Sequence, residues 1–209
     1  MDRDYPDDPK VAYALFMLQD LLELQQENPD ADFFDIISHR DQVLARYQPI
    51  FHPSNIPHLT KNDFESFLLY KNNHHWSSLH RVRKFITSDM PRLREALTIL
   101  LDERRPVRER LNQIRPERYF GQHSMVSHLG IPVLTAILLV VYPEKYGVWN
   151  NTSDEGLHIV RLWDARWEGD PAGDVYEEMN KIYLELSRYL KIDLWTLDSL
   201  WWVLKKQAS

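Results

Sequence analysis

Apolar residues recur every three or four positions along most of this chain, which is the spacing of amphipathic helices. Short polar side chains that can cap a helix precede several of these apolar runs. The residues predicted to begin helices in this way are Asp8, Asp32, Thr60, Asp89, Thr152 and Asp193. No alternation of the kind that predicts a β-strand persists beyond four residues. The pattern therefore predicts an all-α fold.

The breaks in this pattern predict where the helices end. Gln48–Leu59 contains three prolines and is expected to be a loop or a connection between lobes. Thr152 and Glu155 have the spacing of a capping box, which predicts a helix running to about Trp163. A chain of 209 residues is long enough to bury a full core. We expect one helical domain over 1–209, with one lobe over about 60–150 and the other built from the terminal helices.

The charge of the chain is unevenly distributed. The formal net charge is −6, yet residues 66–145 carry 13 Lys/Arg against 7 Asp/Glu. Such a segment can neutralise phosphates while acidic flanks keep the protein in solution. Ordinary solvated helix faces would give the same composition, so charge alone leaves both interpretations open.

Composition excludes several classes of protein. The chain has no cysteine, which rules out disulfides, thiolate metal sites and cysteine-bound iron–sulfur clusters. Its acidic start, MDRDYPDDPK, has no apolar core of the kind a signal peptide needs. No apolar run approaches the roughly 18 residues of a membrane span. We therefore expect a cytoplasmic protein. We also expect it to be a monomer and to need no cofactor.

The region 126–157 contains the most informative pattern. Leu129-Gly130 followed by Ile131-Pro132 predicts a tight turn that leads into an apolar helix. Backbone N–H groups in such a turn can bind a phosphate, because glycine allows the backbone to approach closely. About twenty residues later, Trp149-Asn150 lies at the start of the next predicted helix.

Together these parts resemble the helix-hairpin-helix DNA glycosylases, in particular a group of small bacterial members. The similarity covers roughly 118–206, with the hairpin near 118–141, and extends to the closing segment Leu190–Trp201. It implies a two-lobed helical fold that binds duplex DNA through the hairpin. It also implies a catalytic aspartate at the position that Asn150 occupies here.

Three residues depart from the family pattern. His128 replaces the first glycine of the hairpin. Pro132 stands where bifunctional members have a Schiff-base lysine, so the resemblance implies a monofunctional enzyme in which water attacks. Asn150 can orient a water molecule but cannot supply the charge of a carboxylate. Asp154 is a candidate replacement, although its position favours helix capping, and Asn150 can also be simply the N-cap.

A second unusual segment, 71–84, concentrates amides, imidazoles, an indole and basic groups. A protein that flips a base out of DNA needs such groups to stack on the base, to read its edge and to hold the backbone. The expected base pocket comprises Asn72, Asn73, His74, His75, Trp76 and Trp149. The expected DNA-binding residues are His128, Leu129, Gly130, Ile131, Arg115, Arg118, Arg81 and Lys84. A zinc site from His74, His75 and His80 is an alternative, but adjacent histidines project differently and no fourth ligand is near, so we expect no metal.

The leading hypothesis is a DNA glycosylase that hydrolyses the N-glycosidic bond of a flipped, damaged or modified base and leaves an abasic site. The base could be a bulky modification of the kind that phages use, which would make the protein a defence enzyme. A non-catalytic reader of modified DNA on the same scaffold is the first alternative. A helical protein-interaction module, whose basic segment binds an acidic partner, is the second.

Overall fold

The computed structural model describes residues 6–116, 124–163 and 168–208, and these contain helices but no strand. The all-α prediction is confirmed. The α-helices are α1 (Pro9–Glu27), α2 (Ala31–Phe51), α3 (Lys61–Phe67), α4 (Tyr70–Asn73), α5 (Arg83–Ile86), α6 (Met90–Leu100), α7 (Val107–Ile114), α8 (Ile131–Val141), α9 (Asn151–Ile159), α10 (Ala172–Leu190) and α11 (Leu194–Ala208). Two 3₁₀ helices, Pro53–His58 and Ser77–Val82, connect them.

Local polar side chains begin the helices much as the sequence predicts. Asp8, Thr60 and Asp89 each accept a backbone N–H in the first turn of the helix that follows. The second helix needs a correction, because Asp30 and not Asp32 is its N-cap. The carboxylate of Asp30 accepts the N–H of Asp32 itself at 3.0 Å, so the helix begins two residues earlier than expected.

The capping box of α9 also differs from the prediction. Asn150 is the N-cap and its partner is Ser153, whereas the sequence suggested Thr152 with Glu155. The Asn150 side chain accepts the N–H groups of Thr152 and Ser153, and the Ser153 hydroxyl accepts the N–H of Asn150. These reciprocal hydrogen bonds fix the orientation of the Asn150 side chain relative to the helix.

The apolar helix α8 lies at the centre of the core, with all of Val133–Val140 buried. Helix α2 packs on α8, and α11 packs on both α2 and α9. The contact between α9 and α11 is close at Gly156, where a Cβ atom would lie 2.5 Å from Cε3 of Trp201. These contacts hold the middle of α9 against the middle of α11.

Among the described helices, none combines the length and the apolar character that a membrane span requires.

Candidate functional site

A pocket of about 290 Å³ opens where four elements meet. Its walls are the segment 75–79, Pro132 at the start of α8, residues 150–152 at the start of α9, and Asp198 with Trp202 on α11. Asn150, which was predicted from the sequence to be catalytic, thus lies in the same pocket as the His75–Trp76 pair.

The amide of Asn150 is oriented by its capping role. Its Oδ1 accepts the N–H of Thr152 at 2.8 Å and the N–H of Ser153 at 3.1 Å. Since both partners are donors, the amide oxygen must be the capping atom and the amide nitrogen must point elsewhere. That nitrogen donates to no residue that the structure describes. Asn150 therefore offers hydrogen-bond donors to the pocket.

Asp198 brings a carboxylate to the same pocket and is only 5% exposed. The indole Nε1 of Trp76 donates to its Oδ2 at 3.0 Å. The Nε2 atom of His75 lies 3.0 Å from the same oxygen, but without the alignment of a hydrogen bond. The other oxygen, Oδ1, accepts no hydrogen bond from the described part of the chain. One oxygen of this buried carboxylate is fixed by a hydrogen bond, and the other can accept a proton from a bound molecule.

Asn73 builds the turn that presents His75 and Trp76. Its Oδ1 accepts the N–H groups of His75 and Trp76 at 2.9 and 2.8 Å, and its Nδ2 donates to the carbonyl of Phe67 at 2.9 Å. The residue is fully buried. The base-pocket prediction for Asn73 therefore needs correction, because its hydrogen bonds are used inside the turn.

His75 and Trp76 form a stacked pair, with ring centroids 4.7 Å apart and planes at 16°. The edge of Trp195 packs against Trp76, so the indole is only 6% exposed. One face of Trp76 is thus covered by the imidazole. Both residues line the pocket, and the indole acts there mainly by holding Asp198.

Asn72 and His74 do not line the pocket, in contrast to the prediction. Asn72 donates from Nδ2 to the carbonyl of Ser66 at 2.9 Å. The His74 backbone is left-handed, with φ of 54°, and its Nδ1 lies 3.2 Å from Oδ2 of Asp35. Consecutive residues in a tight turn project in different directions, which separates these two from His75 and Trp76.

His74 belongs to a different cluster, with Asp35 and His39. The two imidazole rings stack in parallel with their centroids 3.8 Å apart. The Nδ1 atom of His39 lies 3.1 Å from Oδ1 of Asp35. A carboxylate and two imidazoles are ligands that Zn²⁺ accepts. Parallel rings, however, direct their nitrogen lone pairs alongside one another and not towards one point. The cluster differs from the trio of His74, His75 and His80 that the sequence suggested.

Trp149 and Asp154 also lie outside the pocket. Trp149 is 2% exposed, and its Nε1 donates to Oδ1 of Asp154 at 2.6 Å. The carboxylate of Asp154 is therefore engaged with the indole near the first turn of α9. Neither residue lines the pocket, so Trp149 and Asp154 are not part of the group that Asn150 forms there with His75 and Trp76.

The predicted hairpin turn is partly buried. Leu129 is fully buried and Ile131 is 3% exposed, so neither presents a side chain to a phosphate. Gly130 is the N-cap of α8. His128 is exposed and has a left-handed backbone with φ of 63°. The centroid of its ring lies 4.5 Å from that of the exposed Phe85 ring. This contact joins the turn to the basic segment that follows the pocket.

The predicted phosphate-binding cations divide into two groups. Arg81 and Lys84 are exposed, directly after the pocket wall 75–79, and no described acidic residue pairs with them. Arg115 is only 8% exposed, and its contact with DNA stays a prediction. Arg118 lies outside the described residues.

Sequence reasoning assigned no role to Asp198 or Trp202, although both line the pocket. A signal was present, because Asp198 interrupts the apolar run of the last helix. A carboxylate on the apolar face of a buried helix requires a partner. The identity of that partner, Trp76, could not be read from the sequence.

No protein-family model, curated protein or solved structure matches this chain.

Proposed function

We propose that this protein is a monofunctional DNA glycosylase, which hydrolyses the N-glycosidic bond of a flipped, modified base. The observation that supports it best is the shared pocket of Asn150, Asp198 and the His75–Trp76 pair. A pocket of about 290 Å³ lies near the lower end of the range for small-ligand sites, roughly 300–1,000 Å³. It offers amide donors, a carboxylate and an imidazole, the groups needed to hold a base and to activate water.

The surroundings of the pocket suit duplex DNA. Arg81 and Lys84 follow directly after one wall, and the turn His128–Gly130 contacts the same basic segment through Phe85. Exposed cations without acidic partners can neutralise phosphates on either side of a flipped nucleotide. In the two-lobed fold that the resemblance implies, the pocket would lie in the cleft between lobes. Pro132 on the pocket wall has no amine, so water is the nucleophile in this mechanism.

A reader of modified DNA is the second candidate function. It is favoured by Asn150, whose neutral amide is held in a capping box and supplies no charge where the family has a carboxylate. Such a protein would keep the pocket and the basic rim, and would bind the flipped base without cleaving it.

Incubation of the protein with a panel of duplexes tests the proposal. Each duplex carries one alkylated, oxidised, mismatched or bulky phage-type base, and alkaline cleavage at abasic sites reports base release. We expect one class of duplex to be cleaved by the wild type. Tight binding of a modified duplex without any abasic product would favour the reader, and weak binding that ignores modification would contradict both candidates.

A further inference from the structure

The pocket contains the carboxylate of Asp198, although position 150, where the resemblance places the catalytic aspartate, holds asparagine. We infer that Asp198 is the catalytic carboxylate, which stabilises positive charge on the deoxyribose and accepts the proton of the attacking water. This inference rests on the glycosylase function proposed above. It gives a chemical role to helix α11, in which no site residue was predicted from the sequence.

Asn150 cannot take the proton itself. Its Oδ1 already accepts two backbone N–H groups, at 2.8 and 3.1 Å. The remaining Nδ2 is a donor and has no basic lone pair. It can hold a water molecule only by donating to the water oxygen, which leaves both water protons pointing away from Asn150. An acceptor elsewhere in the pocket is therefore required.

Asp198 meets the requirements for that acceptor. Trp76 fixes the carboxylate by donating to Oδ2 at 3.0 Å, and Oδ1 receives no hydrogen bond from the described residues. The side chain is 5% exposed, so its charge acts in a medium of low dielectric constant. A fixed negative charge in such surroundings stabilises an oxocarbenium-like sugar without reorganising at the moment of reaction. Trp76 is in this scheme a positioning residue.

The reaction then balances with water as the sole co-reactant. The bond from C1′ to the base nitrogen breaks, and its electron pair leaves with the base. The water oxygen, held by Asn150, forms a bond to C1′ and passes one proton to Oδ1 of Asp198. That proton moves on to the released base or to solvent, which restores the carboxylate and leaves an abasic deoxyribose.

A base-independent probe tests the charge on Asp198. One duplex carries a pyrrolidine in place of a deoxyribose, and so a cation at the position of the developing charge. A second carries a neutral tetrahydrofuran at the same site. We expect the wild type to bind the cationic duplex more tightly by about tenfold or more, as transition-state analogues do. In Asp198→Asn, whose amide oxygen can still accept from Trp76, the two affinities should become nearly equal.

A matched control separates this effect from general charge. Glu155→Gln removes an exposed carboxylate of α9 that pairs with Lys205, and should leave the preference for the cationic duplex unchanged. Asn150→Asp adds a carboxylate to the same pocket and should strengthen the preference, which gives a second test should Asp198→Asn fail to fold. A preference that persists in folded Asp198→Asn, or that does not grow in Asn150→Asp, overturns the inference.

Base release distinguishes the inference from the function on which it rests. On a duplex that the wild type cleaves, Asp198→Asn should slow single-turnover release by about 100-fold or more, with little change in duplex affinity. Undiminished release by Asp198→Asn overturns the role of Asp198 and leaves the glycosylase function standing. If the wild type releases no base from any duplex, the proposed function and the catalytic role fail together. Loss of the cation preference in Asp198→Asn would then assign only charge binding to this residue.

Discussion

Trp76 donates a hydrogen bond of 3.0 Å from its indole Nε1 to Oδ2 of Asp198, across 122 positions of the chain. Both side chains are nearly inaccessible to solvent. The bond ties the turn after α4 to the middle of α11 and makes one wall of the pocket. It satisfies a carboxylate that would otherwise be buried at considerable cost.

Replacement of the indole tests the contribution of this bond. Trp76→Phe keeps an aromatic ring but removes the donor to Asp198. Hydrogen bonds to charged groups contribute about 1.5–3 kcal/mol, so we expect the free energy of unfolding to fall by roughly that amount. Urea denaturation followed by circular dichroism measures the change.

Trp195→Phe is the matched control for this variant. Trp195 is fully buried, and its Nε1 donates to the neutral carbonyl of Ile36 at 3.1 Å. The loss should be smaller there, because the abandoned acceptor carries no charge. If the free energy of unfolding falls equally in both variants, the hydrogen bond to the carboxylate contributes no more than one to a neutral carbonyl.

The capping role of Asn150 predicts a difference between two substitutions. Asn150→Ala removes the acceptor of two N–H groups of α9, which should cost about 1 kcal/mol of stability. Asn150→Asp keeps an acceptor of the same shape and should remain the more stable variant. Thermal denaturation of both proteins makes the comparison. Equal stability of the two variants would contradict the capping assignment.

The close approach of α9 and α11 makes Gly156 intolerant of a larger side chain. In Gly156→Ala, the new Cβ would lie 2.5 Å from Cε3 of Trp201, so one helix must move. Overpacking of this kind costs about 1–3 kcal/mol, which chemical denaturation can measure. The neighbouring variant Glu155→Ala should cost less than about 1 kcal/mol, since it only removes an exposed ion pair with Lys205. A Gly156→Ala protein as stable as the wild type would contradict this packing.

Stability should fall in alkaline solution because of a buried tyrosine. The Tyr146 hydroxyl accepts from Arg110 at 2.6 Å and donates to Glu103 at 2.9 Å. Burial raises the pKa of Tyr146 from 10.0 to about 12. Between these values the unfolded chain loses the phenol proton while the folded protein keeps it. The stabilisation is therefore complete below pH about 10 and is lost as the pH rises towards about 12.

Unfolding free energies measured across this range should decline less steeply in Tyr146→Phe than in the wild type. Some decline should remain, because burial also raises the pKa of Tyr176. Tyr189→Phe, at an exposed position, is the control and should follow the wild type. A Tyr146→Phe curve parallel to that of the wild type would contradict the prediction.

Duplex binding should depend on salt through the cations beside the pocket. If Arg81 and Lys84 neutralise phosphates, Arg81→Ser and Lys84→Ser should each reduce the slope of log affinity against log salt by about 1. Fluorescence anisotropy at several salt concentrations measures the slopes. Lys10→Ser, in the acidic N-terminal region, should leave the slope unchanged. Similar slopes for all three variants would place the DNA on another surface, and a flat wild-type slope would favour the interaction module.

Local patterns in the sequence predict most of the secondary structure. Apolar spacing and caps such as Asp8, Thr60 and Asp89 determine helices through contacts within one or two turns, so they can be read without knowledge of the fold. The turn before α8 is predictable for the same reason. The errors at Asp32 and Thr152 are also local, because several nearby side chains compete to cap one helix.

The pocket depends on contacts that local patterns do not encode. The sequence indicated Asn150, His75 and Trp76, but it also selected Asn73, Trp149 and Asp154, which do not line the pocket. Asp198 was not predicted as a site residue, because its partner Trp76 lies 122 residues away and is brought near only when α11 packs on α9 and α2. The sequence by itself determined the helices and the chemistry available along them. Only the tertiary structure decided which of these groups share one pocket, because that depends on helix packing between distant parts of the chain.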